Sequence, residues 1–192
     1  MTAVTLKLDP IVKLTREAFY KLCEANPDLS FERTARGELI IMTPVGGGGS
    51  SREANLIADV TIWNRQTGLG IVFSSSGLFS LPRGGDRSPD VAWIKLERWQ
   101  ALSLQEQEGV PNICPDFVIE LRSRTDRLPP LQTKMQEYLN SGLRLGWLIN
   151  PQDKELEIYR PRYPVEILPQ PQSVSGEDVL PGFVLNLNRF WT

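Results

Sequence analysis

Two segments of the chain begin with Pro-Asp and continue into apolar residues. They are Ser88-Pro89-Asp90-Val91-Ala92-Trp93-Ile94 and Pro115-Asp116-Phe117-Val118-Ile119-Glu120-Leu121-Arg122-Ser123. On a strand, alternate residues share a face. Asp116, Val118, Glu120 and Arg122 therefore point one way, and Phe117, Ile119 and Leu121 the other. Charges in a strand that otherwise reads as buried are uncommon unless they are paired or bind a metal ion. Asp116 is four residues from Glu120, roughly 13 Å along an extended strand, which is too far for one ion. An aspartate on a neighbouring strand can lie roughly 5 Å away across the ladder. Asp90 is the available one, so Asp90 and Glu120 are the candidate metal-binding pair. Each also has a plainer reading. Asp after Pro suits a turn, as it does for Asp116 at its strand entry, and a lone strand glutamate can simply be salt-bridged.

The chain has no histidine. That excludes Ser-His-Asp and Cys-His catalysis, HExxH zinc sites and any histidine base. Chemistry must then run on carboxylates, Lys, Arg, Tyr or a metal, and oxygen-only ligands favour Mg²⁺ or Mn²⁺. Lys134 sits on the edge of an apolar helical stripe made by Leu131, Met135, Tyr138 and Leu139. From there it can reach back toward the Glu120 strand, or snorkel to the surface. Glu53 falls on the apolar stripe of an earlier helix with Leu56, Ile57 and Val60. It is either a further acid of the site or a first-turn answer to the helix dipole. From Arg122 to Arg144, five basic residues stand against Asp126 and Glu137. Arg122, Ser123 and Arg124 are the candidate substrate-binding residues of this stretch, which reads equally as a phosphate-holding face or an ordinary solvated one.

The elements that must position these residues follow from the pattern. Thr15 reads as an N-cap for a helix over 17–25, and Ala35-Arg36-Gly37 as the turn of a hairpin. Gly46–Gly49 reads as a flexible connector into a helix over 52–65. It is not a phosphate loop, since the GxxxxGK[ST] lysine is missing. Strands are expected at 71–74, 77–81, 90–94, 117–121, 145–149 and 156–160, short helical or irregular structure at 96–108, and a helix over 131–139. Residues 1–14 read as a loose arm. The proline-rich tail over 161–192 should pack on the core as irregular chain or an edge strand. The expected fold is α/β, a mixed sheet flanked by helices, with an N-terminal helix and β-hairpin, all in one domain over 1–192.

Bulk properties restrict the setting. The 192 residues are 41% hydrophobic and 23% charged with a net charge of −2, so nucleic-acid contact would need a local basic patch or a bound cation. Cys23 and Cys114 form no CxxC and read as reduced core thiols. No apolar run is long enough to span a membrane, and a cytoplasmic protein is expected. The five tryptophans could include anchors of a homodimer interface.

Taken together, Arg87-Ser88-Pro89-Asp90, the 115–123 segment, Lys134-Met135-Gln136-Glu137-Tyr138 and Gly142-Leu143-Arg144-Leu145-Gly146-Trp147-Leu148-Ile149-Asn150-Pro151 resemble a large bacterial family of restriction-endonuclease-like proteins in the PD-(D/E)XK nuclease superfamily. The resemblance implies a restriction-endonuclease-like core and Mg²⁺-dependent hydrolysis of phosphodiesters, with DNA the expected substrate. It implies that Asp90 and Glu120 hold the ion, with Glu53 matching a first-helix acid of some relatives. One departure stands out. The motif's lysine, two residues after the glutamate, is here Arg122, and Lys134 matches a lysine moved to the helix. A catalytically weak or inactive binding or assembly module on the same fold is the alternative.

Overall fold

The structure, a computed structural model, describes residues 3–191. In chain order the elements are β1 (Ala3–Leu6), α1 (Arg16–Ala25), β2 (Phe31–Arg33), β3 (Leu39–Met42), α2 (Gly47–Thr67), β4 (Gly70–Ser74), β5 (Phe79–Ser80), β6 (Asp86–Arg87) and β7 (Val91–Lys95). They continue with α3 (Leu96–Gln100), α4 (Leu104–Glu108), β8 (Phe117–Leu121), α5 (Leu128–Asn140), β9 (Leu145–Asn150), β10 (Glu155–Tyr159), β11 (Glu166–Pro169), β12 (Ser173–Ser175) and β13 (Val184–Asn186).

The larger sheet has six strands in the order β11-β10-β9-β8-β7-β4. Its central pair, β8 and β9, is parallel, with Glu120 opposite Leu148; the other pairs are antiparallel. A parallel pair needs a crossover, and α5 provides it. Prolines stand in the first turn of α5, where a missing N–H costs nothing. Strand alternation divides the core into two layers. Phe117, Ile119, Trp147 and Ile149 pack against Leu56, Val60 and Trp63 of α2 and against Leu180, Phe183, Phe190 and Trp191 of the tail. Val118 and Leu148 point the other way, onto Met135 and Tyr138 of α5. Gly146 lets α5 come close, since a Cβ there would lie 2.5 Å from the end of Met135.

The smaller sheet runs β1-β3-β2-β6-β5. It contains the expected hairpin, with Phe31 opposite Ile41, and packs on α1 through Phe19, Phe31 and Leu39. Thr15 caps α1 by accepting from Ala18 N–H at 3.2 Å.

The structure departs from the expected elements in several places. Residues 3–6 do not hang loose: they pair with β3, Ala3 opposite Met42, although each stays exposed. The glycine run is not a connector but the first turn of α2, where Ser50 N–H donates to the Gly46 carbonyl at 3.1 Å. Glycine's low helix propensity is a weak preference that tertiary context overrides. β6 was not expected, because Asp86-Arg87 is short, charged and preceded by Gly84-Gly85. The tail places Leu180, Phe183, Phe190 and Trp191 in the core, adds β11 at the edge of the larger sheet and pairs β12 with β13 in a two-stranded sheet of its own.

Candidate functional site

β7 and β8 pair with Val91 opposite Ile119. One step further along this antiparallel ladder, Asp90 stands opposite Glu120. Asp90 is fixed by accepting from the Leu121 backbone N–H at 2.6 Å. Asp116 is at the other end of β8, fully buried, and receives Lys95 N–H at 2.9 Å and Arg98 at 2.9 Å. It anchors the strand and takes no part in the Asp90 cluster.

Lys134 does not reach the surface. It is 6% exposed, and its ammonium donates to Glu120 Oε1 at 2.8 Å, to Glu32 Oε1 at 2.8 Å and to the Ser88 carbonyl at 3.0 Å. An ammonium has three donors, and all three are used. Tyr138, one turn along α5, donates its hydroxyl to the same Glu120 oxygen at 3.0 Å.

Glu32 is the residue that sequence reasoning missed. It lies on β2, 2% exposed, and receives Arg87 at 2.9 Å and the Ser88 N–H at 2.9 Å besides Lys134. Arg87 in turn holds Glu137 of α5 at 2.7 Å. The one signal in the sequence is Glu32-Arg33 inside a short hairpin strand, which reads as well as the solvated face of a hairpin.

The charges are unevenly balanced. Four carboxylates, Glu32, Asp90, Glu120 and Glu137, gather around two cations, Arg87 and Lys134. Burial raises Glu120 to about 8, outweighing Lys134, and Asp90 and Glu32 add to the rise. Burial likewise lifts Asp90 to about 6, with Lys134 and the Leu121 N–H opposing and Glu53 adding. Glu32 goes the other way: burial pushes its carboxyl up, but Lys134, Arg87 and the Ser88 N–H together hold it below the usual value. Lys134 is raised, because Glu120, Glu32 and Asp90 outweigh its burial.

Two cavities open on the cluster. One, of about 460 Å³, is lined by Gly46–Gly49, Arg52, Glu53, Asp90 and residues 121–125. The other, of about 580 Å³, contains Glu32, Arg87, Asp90, Glu120 and Lys134 together with the β1–β3 face. Glu53 therefore faces the same cavity as Asp90, and its carboxylate accepts from the Ser75 hydroxyl. Arg122, Ser123 and Arg124 also line that cavity. The Arg122 guanidinium, however, is bound to Asp153 at 2.7 Å and Asn150 at 3.1 Å, while Arg124 is exposed.

Among the described residues no three acidic, histidine or cysteine side chains form a ready-made cation cage. Mg²⁺ does not need one: it keeps several waters and takes one or two carboxylates plus substrate phosphates. A pair of oxygen donors, both raised by burial within an excess of negative charge, suits a hard divalent cation.

Two comparisons with known proteins bear on the fold and the family. A solved structure from Anabaena variabilis, described as a "putative nuclease belonging to DUF820", matches with a TM-score of 0.78 at 19% identity, covering 94% of this chain and 97% of that one. At that identity the match shows the fold, a mixed α/β architecture. No curated protein matches the chain. The sequence model of the Uma2 family, described as "Putative restriction endonuclease", matches residues 16–188. The chain belongs to that family.

Proposed function

We propose that the chain is a metal-dependent endonuclease that hydrolyses phosphodiester bonds, with DNA as its substrate. The observation that carries this reading is the meeting of Asp90, Glu120 and Lys134, from a strand entry, a central strand and a helix. Asp90 and Glu120 would hold Mg²⁺ or Mn²⁺. When bound, such an ion supplies Lewis-acid stabilisation of charge on a phosphate.

The remaining roles belong to the chain itself. Lys134 supplies a fixed positive charge where negative charge develops. Its three donors are engaged by Glu32, Glu120 and Ser88, so it acts by charge and not as a base. Arg122 cannot be the base either; its ties to Asp153 and Asn150 hold the rim of the cavity. Glu53, which lines the same cavity as Asp90, is the carboxylate available to accept a proton from water. Ser123 and Arg124 would receive the neighbouring phosphate. We further place the protein in the cytoplasm, in keeping with its free cysteines. We also read it as a homodimer, which suits cleavage of two antiparallel strands by symmetric copies.

A second reading, a weak or inactive nucleic-acid-binding or assembly module, draws on one observation. Glu120 already carries Lys134 and Tyr138 on one oxygen, so an ion must compete with them. Incubation of DNA and RNA with the protein in Mg²⁺, Mn²⁺ or chelator separates the readings. The nuclease reading expects metal-dependent cleavage that disappears in folded Glu120→Gln and Asp90→Asn variants. No cleavage of either nucleic acid by protein that binds them would leave the second reading standing.

A further inference from the structure

We propose that Glu32 is the positioning residue for Lys134: it, and not Glu120, keeps the ammonium at the site. The inference deepens the reading above and rests on it for the meaning of the site, but its geometry stands without a metal.

Three acceptors hold Lys134, and they are not equivalent. Glu120 belongs to the carboxylate pair that an ion would engage. Glu32 and the Ser88 carbonyl come from the smaller sheet and its exit, and neither belongs to that pair. Glu32 is itself locked. Its Oε2 receives Arg87 at 2.9 Å, and its Oε1 receives the Ser88 N–H at 2.9 Å. Arg87 is clamped from its far side by Glu137 at 2.7 Å, and Glu137 also accepts from Ala35 N–H in the hairpin turn at 3.2 Å. The hairpin and α5 are thus joined at two points along the helix, through Lys134 and through Glu137. Extending the pairing of Arg33 with Asp86 by one step puts Glu32 opposite Arg87, so strand register sets this bridge. Glu120, one of the two carboxylates that would hold an ion, could then turn from the ammonium. Glu32 and Ser88 would still hold Lys134 beside the reacting phosphate, so the site keeps its positive charge in place.

The test is the exchange of the Lys134 ammonium hydrogens, followed by NMR on the full chain with ¹⁵N-lysine, without metal. A fully bonded, buried ammonium exchanges slowly enough to be seen, and Lys134→Met assigns the signal by removing it. We expect the signal to survive in Glu120→Gln. In Glu32→Met it should exchange about tenfold faster or broaden away, as a freed donor group does. Should Glu32→Met not fold, Glu32→Gln keeps the shape and a neutral acceptor. It is the same substitution as Glu120→Gln at an equal distance from the ammonium, so faster exchange in Glu32→Gln than in Glu120→Gln carries the same expectation. A signal unchanged in the Glu32 variant, or lost in Glu120→Gln, overturns the proposal. Adding Mg²⁺ to the wild type is the separate arm. A shifted but persistent signal supports both statements, and loss of the signal overturns the role of Glu32. The absence of any shift sinks the metal reading while leaving the metal-free result for Glu32 in force.

Discussion

Lys134 and Glu120 are joined at 2.8 Å between the middle of α5 and the far half of β8. Both are buried, at 6% and 2% exposure. Buried charges persist only when their partners are in place. The pair therefore makes the crossover helix and the central strand of the larger sheet a single electrostatic unit, with Glu32 as its third member.

Removing the lysine should be costly before any question of activity arises. Lys134→Met leaves Glu32 and Glu120 without their shared cation. Breaking one side of such a pair costs about 3–5 kcal/mol. Urea denaturation without metal should show a loss of that order. Saturating Mg²⁺ should recover part of it in the variant, since a ligand at about a hundred times its dissociation constant adds about 2.7 kcal/mol. No recovery with Mg²⁺ would argue against an ion beside Glu120.

For the carboxylates, Asp90→Asn and Glu120→Gln should each abolish Mn²⁺ uptake in calorimetry and lower cleavage by about a hundredfold or more. Their folds should persist, because neutral amides relieve the crowded charge that raises both groups. An Asp116→Asn variant should behave oppositely. Its loss is one of stability, since Asp116 holds Arg98 and the Lys95 N–H at the other end of β8.

The metal-free protein should become less stable as pH rises from 5 to 9. Asp90 at about 6 and Glu120 at about 8 are both above their unfolded values. Groups with raised folded pKa values bind protons more tightly in the native state. Their contribution is complete below the unfolded pKa and is lost as pH passes through the folded one. Lys134, also raised, stays charged throughout this window. Glu32, held low, acts only on the acid side, where its contribution disappears as pH falls through its folded value. Melting temperatures across the range should fall for the wild type and flatten in Glu120→Gln. A rising curve would contradict the assignment.

Arg122 and Arg124 should respond differently to substitution. Arg122→Ala should loosen the turn at Asn150–Asp153, to which the side chain is tied. Arg124→Glu, at an exposed position lining the cavity, should weaken DNA binding and reduce its salt dependence. Fluorescence anisotropy at several salt concentrations with Ca²⁺ distinguishes them. Equal effects from both substitutions would mean that Arg122 also meets the phosphate backbone.

Close packing supplies a prediction remote from the charges. In Gly146→Ala the added methyl would sit 2.5 Å from the end of Met135 and 2.7 Å from Leu143. Overpacking of this kind costs about 1–3 kcal/mol. Since α5 carries Lys134, the variant should lose activity as well as stability, measurable in parallel by melting and cleavage.

What the sequence determined by itself was whatever depends on local periodicity and on residue inventory. The strand period of two assigned faces to Glu120 and its neighbours within the apolar run Phe117–Leu121. Distance along that strand separated Asp116 from Glu120. The absence of histidine restricted the chemistry, and the helical period put Lys134 beside Tyr138 on α5. The tertiary structure decided what depends on elements remote in sequence. Glu32 meets Lys134 only because the hairpin packs against α5, 102 residues apart. A charged residue in a short hairpin strand gives no local sign of burial. The same holds for the first turn of α2, which the glycines alone would leave as coil. Arg122, pattern-matched to a catalytic position, is drawn to Asp153 by the β9–β10 turn. Local patterns set which way a side chain leaves its own element, and long-range packing sets what it meets.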